Sequence, residues 1–281
     1  MKKIDTVMRK HFKKLEGMEK KAQAEALRAY DVLLSQAMGI ILGYLADAYG
    51  QARAPQERLS ANRSRHIMEG AQLVGLTAPR FDELHRLAIA EALRTELRII
   101  QSRQAEKAAD IIERSLRGQA SDLWDAIAEH LSERVKLSDT DIRRLIQDEE
   151  YPLRETLQNN HQAVADKVSK RIWQAQARGE DVLPIVNEAA EYMRKTTREA
   201  FDIVEFYEAT RIASAVALEF LARTEPDGFF RTVCIHDGKA CKNCLKIEEE
   251  QAENPVPVEL KAEGINAPPF HPFCRCYVSY I

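Results

Sequence analysis

Apolar residues recur every three or four positions through most of the first 225 residues. Ile4, Val7, Met8, Phe12, Leu15 and Met18 fall on one stripe, and Leu27, Tyr30, Leu34, Met38, Ile41, Leu42 and Leu45 continue it. That is the helical period, so residues 2–50 are expected to be helix. Gly17 is a place for a bend, and Tyr49-Gly50 and Pro55 mark the end. Residues 51–64 read as a polar connector and residues 65–76 as a second helix. Thr77-Ala78-Pro79 is a start signal with Thr77 as cap. Leu84, Leu87, Ala88, Ala92, Leu93, Leu97 and Ile100 then give a helix an apolar face as far as Gly118, and Ser121 is expected to cap another through Leu123, Trp124, Ile127 and Leu131. Ser138-Asp139-Thr140-Asp141 is a capping cluster for a short helix with Ile142, Leu145 and Ile146. Pro152 opens a helix carrying Leu153, Leu157, Val164, Val168, Ile172 and Trp173, which Gly179 ends. A helix from Leu183 to Thr197 follows, then one with Phe201, Val204, Phe206, Tyr207, Ile212, Val216, Leu218 and Leu221. Glu225-Pro226-Asp227-Gly228 stops it.

After that turn the period changes. Residues 229–235 are short and β-prone, Asp237-Gly238 reads as a turn, and Tyr277-Val278-Ser279-Tyr280-Ile281 as a last strand. Pro255, Pro257, Pro268, Pro269 and Pro272 exclude long helices between them. The expected fold is therefore mainly α: a long helical body over residues 1–225 and a small α+β module over residues 226–281. The module has too little apolar sequence to hold itself together.

Composition agrees with this. Of 281 residues 45% are hydrophobic but only 7% aromatic, which suits helices better than sheets. The net charge of −3 is unevenly spread: Lys2, Lys3, Arg9, Lys10, Lys13 and Lys14 face only Asp5 in the first 14 residues. Such an arm is a solvated helix face or a contact for nucleic acid or an acidic protein surface. Met1-Lys2-Lys3 leads into charged residues, so no secretory signal is read there. The uncharged run between Asp31 and Asp47 is shorter than the ~20 apolar residues a membrane span needs. With Ser35, Gln36 and the Gly39/Gly43 pair, it reads as a buried helix in tight contact with another. No membrane association is expected. Trp124 and Trp173 are expected in the core. His11, His66, His85, His130 and His161 are expected at the surface or with hydrogen-bond partners.

All five cysteines lie after residue 233. Cys241-Lys242-Asn243-Cys244 is a C-x-x-C, and His271-Pro272-Phe273-Cys274-Arg275-Cys276 supplies H-x-x-C and C-x-C together. A tetrahedral zinc takes four such ligands. Two close pairs far apart in sequence would close a loop, and metal binding would order a segment lacking a core. Five candidates, Cys241, Cys244, His271, Cys274 and Cys276, compete for four places, and spacing alone does not choose among them. Cys234 is expected to be a buried thiol behaving as a small apolar residue. Arg275, between two candidate ligands, either bonds a carboxylate or points outward. The zinc is expected to be structural and not catalytic. Glu248, Glu249 and Glu250 look like a solvated helix face, no H-E-x-x-H occurs, and no P-loop sequence occurs.

Asp237-Gly238-Lys239-Ala240-Cys241-Lys242-Asn243-Cys244, followed by Pro268-Pro269-Phe270-His271-Pro272-Phe273-Cys274-Arg275-Cys276, resembles the phage Mu F-like minor head protein family, also called phage head morphogenesis proteins. Glu208-Ala209-Thr210-Arg211-Ile212-Ala213 loosely echoes a helix that precedes the motif in that family. The resemblance covers about residues 205–281. It implies a non-enzymatic structural protein, present in a few copies inside the virion head near the portal and made in the host cytoplasm. Its implied partners are the portal and the major capsid or scaffolding protein, with packaged DNA as a further contact for the arm at residues 2–14. The implied role is head assembly or DNA packaging and delivery, with the zinc module as a rigid docking head. Some relatives carry an added toxin or ADP-ribosyltransferase domain. Ile281 lies five residues past Cys276, so none is expected here.

Two other classes compete. A nucleic-acid-binding zinc module should be basic, yet residues 227–281 hold six Lys/Arg against eight Asp/Glu. A metal-dependent hydrolase or nuclease would draw on His236, Asp237 and His271.

Overall fold

A computed structural model describes residues 4–50, 81–147, 153–178, 180, 182–236, 238 and 240–281. Among these, six α-helices form: α1 (Asp5–Gly50), α2 (Phe81–Leu131), α3 (Asp139–Ile146), α4 (Leu153–Arg178), α5 (Val182–Thr224) and α6 (Lys242–Glu253). Strands β1 (Phe229–Cys234), β2 (Val256–Pro257) and β3 (Cys276–Tyr280) make one antiparallel sheet in the order β2-β1-β3. The protein is mainly α, with the α+β elements confined to its C-terminal part. The connector at 51–64, the helix expected at 65–76 and the Thr77 cap lie outside the described residues. No helix among the described residues is long and apolar enough to cross a membrane.

Two breaks expected from the sequence do not occur. α2 runs through Gly118 without stopping at Ser121, and α5 runs through residues 197–201. A glycine costs a helix about 1 kcal/mol relative to alanine. Leu116, Ala120, Leu123 and Trp124 are buried on both sides of Gly118, and their burial outweighs that cost. In α5, Met193, Thr197 and Phe201 are buried four residues apart on one face, so a single helix keeps that face continuous. The cluster at 138–141 caps as its sequence predicts. Ser138 Oγ accepts from the Asp141 N–H at 3.1 Å, and the Asp141 carboxylate accepts from the Ser138 N–H at 3.1 Å.

The chain forms two compact units. The first comprises Met1–Glu25, Ala109–Leu153 and Phe201–Ile281, and the second Ala26–Ala108 and Arg154–Ala200. The division expected between residues 225 and 226 thus runs inside the first unit. The module is short of core, so it draws on helices around it. All five β3 side chains are buried. Tyr277 packs against Phe12 of α1 with ring centres 6.0 Å apart, and its hydroxyl accepts from Arg9 Nε at 3.2 Å. The Tyr280 hydroxyl donates to the Ala217 carbonyl of α5. Gly228 sits where α5 gives way to β1, and a Cβ there would lie 2.8 Å from the Glu225 carbonyl oxygen. In the basic arm, Arg9 and Lys14 are engaged within the unit, Lys14 with Asp122 at 2.5 Å, while Lys10 and Lys13 are exposed. Lys2 and Lys3 lie outside the described residues.

The described residues of the second unit are helical apart from Glu180. Tyr30, Leu33, Leu93, Leu97, Val168, Ile172 and Met193 lie in its core. His161 is buried with Gln101, whose amide oxygen lies 2.6 Å from His161 Nδ1. Asp166 accepts from both Arg94 (2.8 Å) and Arg98 (2.7 Å). Trp124, in the first unit, is a core residue as expected. Trp173 is not: it is 38% exposed. Its apolar neighbours in sequence, Ile172 and Ala175, take the buried face of α4, and Trp173 falls beside that face.

Candidate metal centre

Three elements bring the cysteines together. The C-x-x-C opens α6, with Cys241 as its N-cap: the Cys244 N–H donates to Cys241 Sγ at 3.4 Å. A helix N-terminus presents free N–H groups and partial positive charge, which favour an anionic sulfur. The pKa of Cys241 is accordingly lowered, first by that N–H, with His271 adding to it. The second element is the knuckle of residues 271–274, where the Cys274 N–H closes onto the His271 carbonyl at 3.1 Å. Phe273 turns the corner at φ 59°, a left-handed conformation that costs a non-glycine residue about 1–2 kcal/mol. Its ring lies 5.6 Å from that of Phe206 on α5. The third element is the β1–β3 pairing, whose register sets Cys234 opposite Cys276.

His271 Nε2 lies 3.2 Å from Cys241 Sγ and 3.2 Å from Cys244 Sγ. His271 Nδ1 lies 2.7 Å from the Pro272 carbonyl. A carbonyl only accepts, so Nδ1 carries the hydrogen and the Nε2 lone pair faces the two sulfurs. Metal-binding histidines are held in this way. Cys244 Sγ lies 3.9 Å from Cys274 Sγ. Around one zinc, ligand atoms at bond lengths of about 2.0–2.3 Å stand about 3.5–3.8 Å apart. The observed separations bracket that range. Two groups of donors result, Cys241/Cys244/His271 and Cys244/Cys274/Cys276, each with its ligand atoms within 4.8 Å of one another. All five expected ligands therefore fall in one or other group, and all five cysteines are free.

The electrostatics show what such crowding costs without a cation. Burial pushes the Cys244 thiol up. The contact with Cys276 holds Cys274 down to about 6, while contacts with Cys234 and Cys274 push Cys276 up. On His271 burial acts downward, but the Pro272 carbonyl and the neighbouring thiolates outweigh it and the net shift is upward. Neighbouring buried sulfurs cannot all ionise unless positive charge sits among them, and a divalent ion of borderline softness supplies it. The donor set fits such an ion.

Several residues around the centre carry more than their sequence suggested. Cys234 is buried, as expected, but its Sγ lies 3.2 Å from Cys276 Sγ, so it belongs to the thiol cluster. Only strand register reveals this. β2 covers just the start of β1, and side chains of α6 take over beyond it: Gln251 accepts from the Thr232 N–H at 2.6 Å and Glu248 from the Cys234 N–H at 3.1 Å. Glu248 is therefore not part of a solvated face, though Glu249 and Glu250 are exposed. Thr210 of α5 donates its hydroxyl to the Cys274 carbonyl at 3.3 Å. Next to it, Arg211 bonds Glu208 at 2.9 Å and the Leu145 and Ile146 carbonyls at the end of α3, each at 3.0 Å. The 208–213 segment thus ties the knuckle and α3 to α5. His236 pairs with Glu248 at 3.0 Å and joins neither donor group among the described residues; Asp237 lies outside them.

No protein-family model matches this chain, and neither a curated protein nor a solved structure does.

Proposed function

We propose that this chain is a structural, non-enzymatic minor head protein of the phage Mu F-like kind, whose C-terminal module is ordered by zinc and docks on the portal or inner capsid. One observation carries the reading. The two halves of the motif, 27 residues or more apart, bring Cys241, Cys244, His271 and Cys274 to adjoining positions, with His271 Nε2 aimed at the first pair. Those residues would hold the ion, which supplies the positive charge the thiolates need and makes metal binding part of folding. The echo segment supports the same reading, because Thr210 bonds the knuckle that carries Cys274.

A docking role fits the surface. Of the ten large apolar side chains exposed among the described residues, five are in residues 226–281: Phe229, Leu260, Ile265, Phe273 and Ile281. For its length the module thus exposes more large apolar side chains than the rest of the described chain, and a protein partner would cover them. The acidic balance of the module argues for a protein partner over a nucleic acid.

The test is to cross-link purified particles of the phage or prophage that encodes the chain. The protein should be found joined to portal or inner capsid subunits, and particles assembled without it should have defective heads or deliver DNA poorly. Normal infectivity in its absence, with no portal or capsid cross-links, overturns the proposal.

A further inference from the structure

One tetrahedral zinc uses four donors, yet six lie here, five in two overlapping donor groups and Cys234 beside Cys276. Taking Cys241, Cys244, His271 and Cys274 for one ion leaves Cys234 and Cys276, both fully buried, with their sulfurs 3.2 Å apart. That is well beyond the ~2.0 Å of a disulfide bond. It is also closer than Cys244 and Cys274, at 3.9 Å. The leftover pair is not remote from the first site. Cys276 shares a donor group with Cys244 and Cys274, and Cys244 belongs to both groups. A sulfur common to two donor sets, as Cys244 is, is where a thiolate bridges two metals; Cys274, 3.9 Å from Cys244, would close on the first ion as it binds.

We propose that the module holds a thiolate-bridged pair of zinc-type ions: Cys241 and His271 on one ion, Cys234 and Cys276 on the other, and Cys244 and Cys274 shared. Two separate tetrahedra need eight donors, whereas two that share an edge need six, the number present. Charge agrees. Five thiolates and a neutral imidazole carry −5, two Zn²⁺ carry +4, and the buried cluster is left at −1. One zinc with all five thiolates would leave −3 in the same buried volume, so Cys234 and Cys276 would have to stay protonated. The placement also explains why β1 and β3 meet at a pair of cysteines. The second ion would pin the sheet to the start of α6 and to the knuckle, three elements with little apolar core among them.

This inference rests on the zinc reading above, and the experiment separates the two. The full-length protein is expressed with zinc supplied, and metal per chain is measured by native mass spectrometry. Two zinc ions per chain are expected, falling to one in Cys234→Ser with an unchanged far-ultraviolet circular dichroism spectrum. Protein exchanged with cadmium-113 should give two resonances coupled to each other through the shared sulfurs. This measurement uses the wild-type chain and decides the matter even if Cys234→Ser does not fold. One ion per chain with a single cadmium resonance overturns the pair and leaves the single-zinc reading standing, as does a Cys234→Ser protein that keeps its full metal content. No bound metal overturns both.

Discussion

Arg211→Met tests how much the first unit depends on charge buried beside the candidate metal centre. The Arg211 and Glu208 side chains are each only 4% exposed, with a separation of 2.9 Å. The guanidinium also serves the Leu145 and Ile146 carbonyls, among the last four of α3, which have no partner within the helix. Methionine keeps much of the volume but removes the charge and all the donors. Glu208 then loses its guanidinium in a buried place, and breaking such a pair costs about 3–5 kcal/mol. The two carbonyls add little, because Leu145 and Ile146 are only half-buried and water can replace the arginine. Lys14→Met is the comparison. The Lys14–Asp122 contact is shorter, 2.5 Å, but both side chains are more than half exposed, so its loss should cost at most about 1 kcal/mol. Burial, and not distance, sets the difference. The assay is urea unfolding followed by Trp124, which is buried in the same unit with its indole N–H on the Val135 carbonyl at 2.8 Å, in a Trp173→Phe background. With a slope of about 2 kcal/mol per molar urea, Arg211→Met should lower the midpoint by about 2 M and Lys14→Met by about 0.5 M or less. Adding Glu208→Leu to Arg211→Met should restore most of the loss. A single substitution costing no more than Lys14→Met, or a double as unstable as the single, refutes the reasoning.

Acid should loosen the second unit through His161, whose pKa burial lowers from 6.5 to about 4. The folded state therefore binds its proton later than the unfolded chain. The contribution is complete above pH 6.5 and disappears as pH falls towards 4, by about 2 kcal/mol at pH 5. Denaturant midpoints between pH 7.5 and 4.5 should fall less steeply for His161→Gln than for the wild type, and equal slopes would count against the burial argument. Thr210→Val removes the hydroxyl that holds the Cys274 carbonyl while nearly keeping its shape. Zinc affinity, read by competition with a chromophoric chelator, should drop about tenfold, as is usual when a group supporting a ligand is lost, and Thr210→Ser should recover it. Unchanged affinity in the valine variant would mean that the knuckle does not need α5.

Local pattern determined a good deal by itself. The three-to-four-residue apolar period assigned the chain to helices, the serine and aspartates at 138–141 set a cap, and Gly179 marked the end of α4. These are short-range effects, complete within one or two turns of chain. The C-x-x-C and H-x-x-C pairs likewise named the candidate metal donors, because residues three apart meet through a local turn. Tertiary structure decided what depends on where an apolar face goes. Packing on both sides of Gly118 carried α2 through a residue that locally favours a break, and it grouped the C-terminal module with both α1 and α5 in one unit. It left Trp173 beside the buried face of α4, although its spacing placed it on that face. It also turned Cys234 from an isolated thiol into a neighbour of Cys276, 42 residues away, because strand register is set by pairing across the sheet and leaves no mark in the residues next to either cysteine.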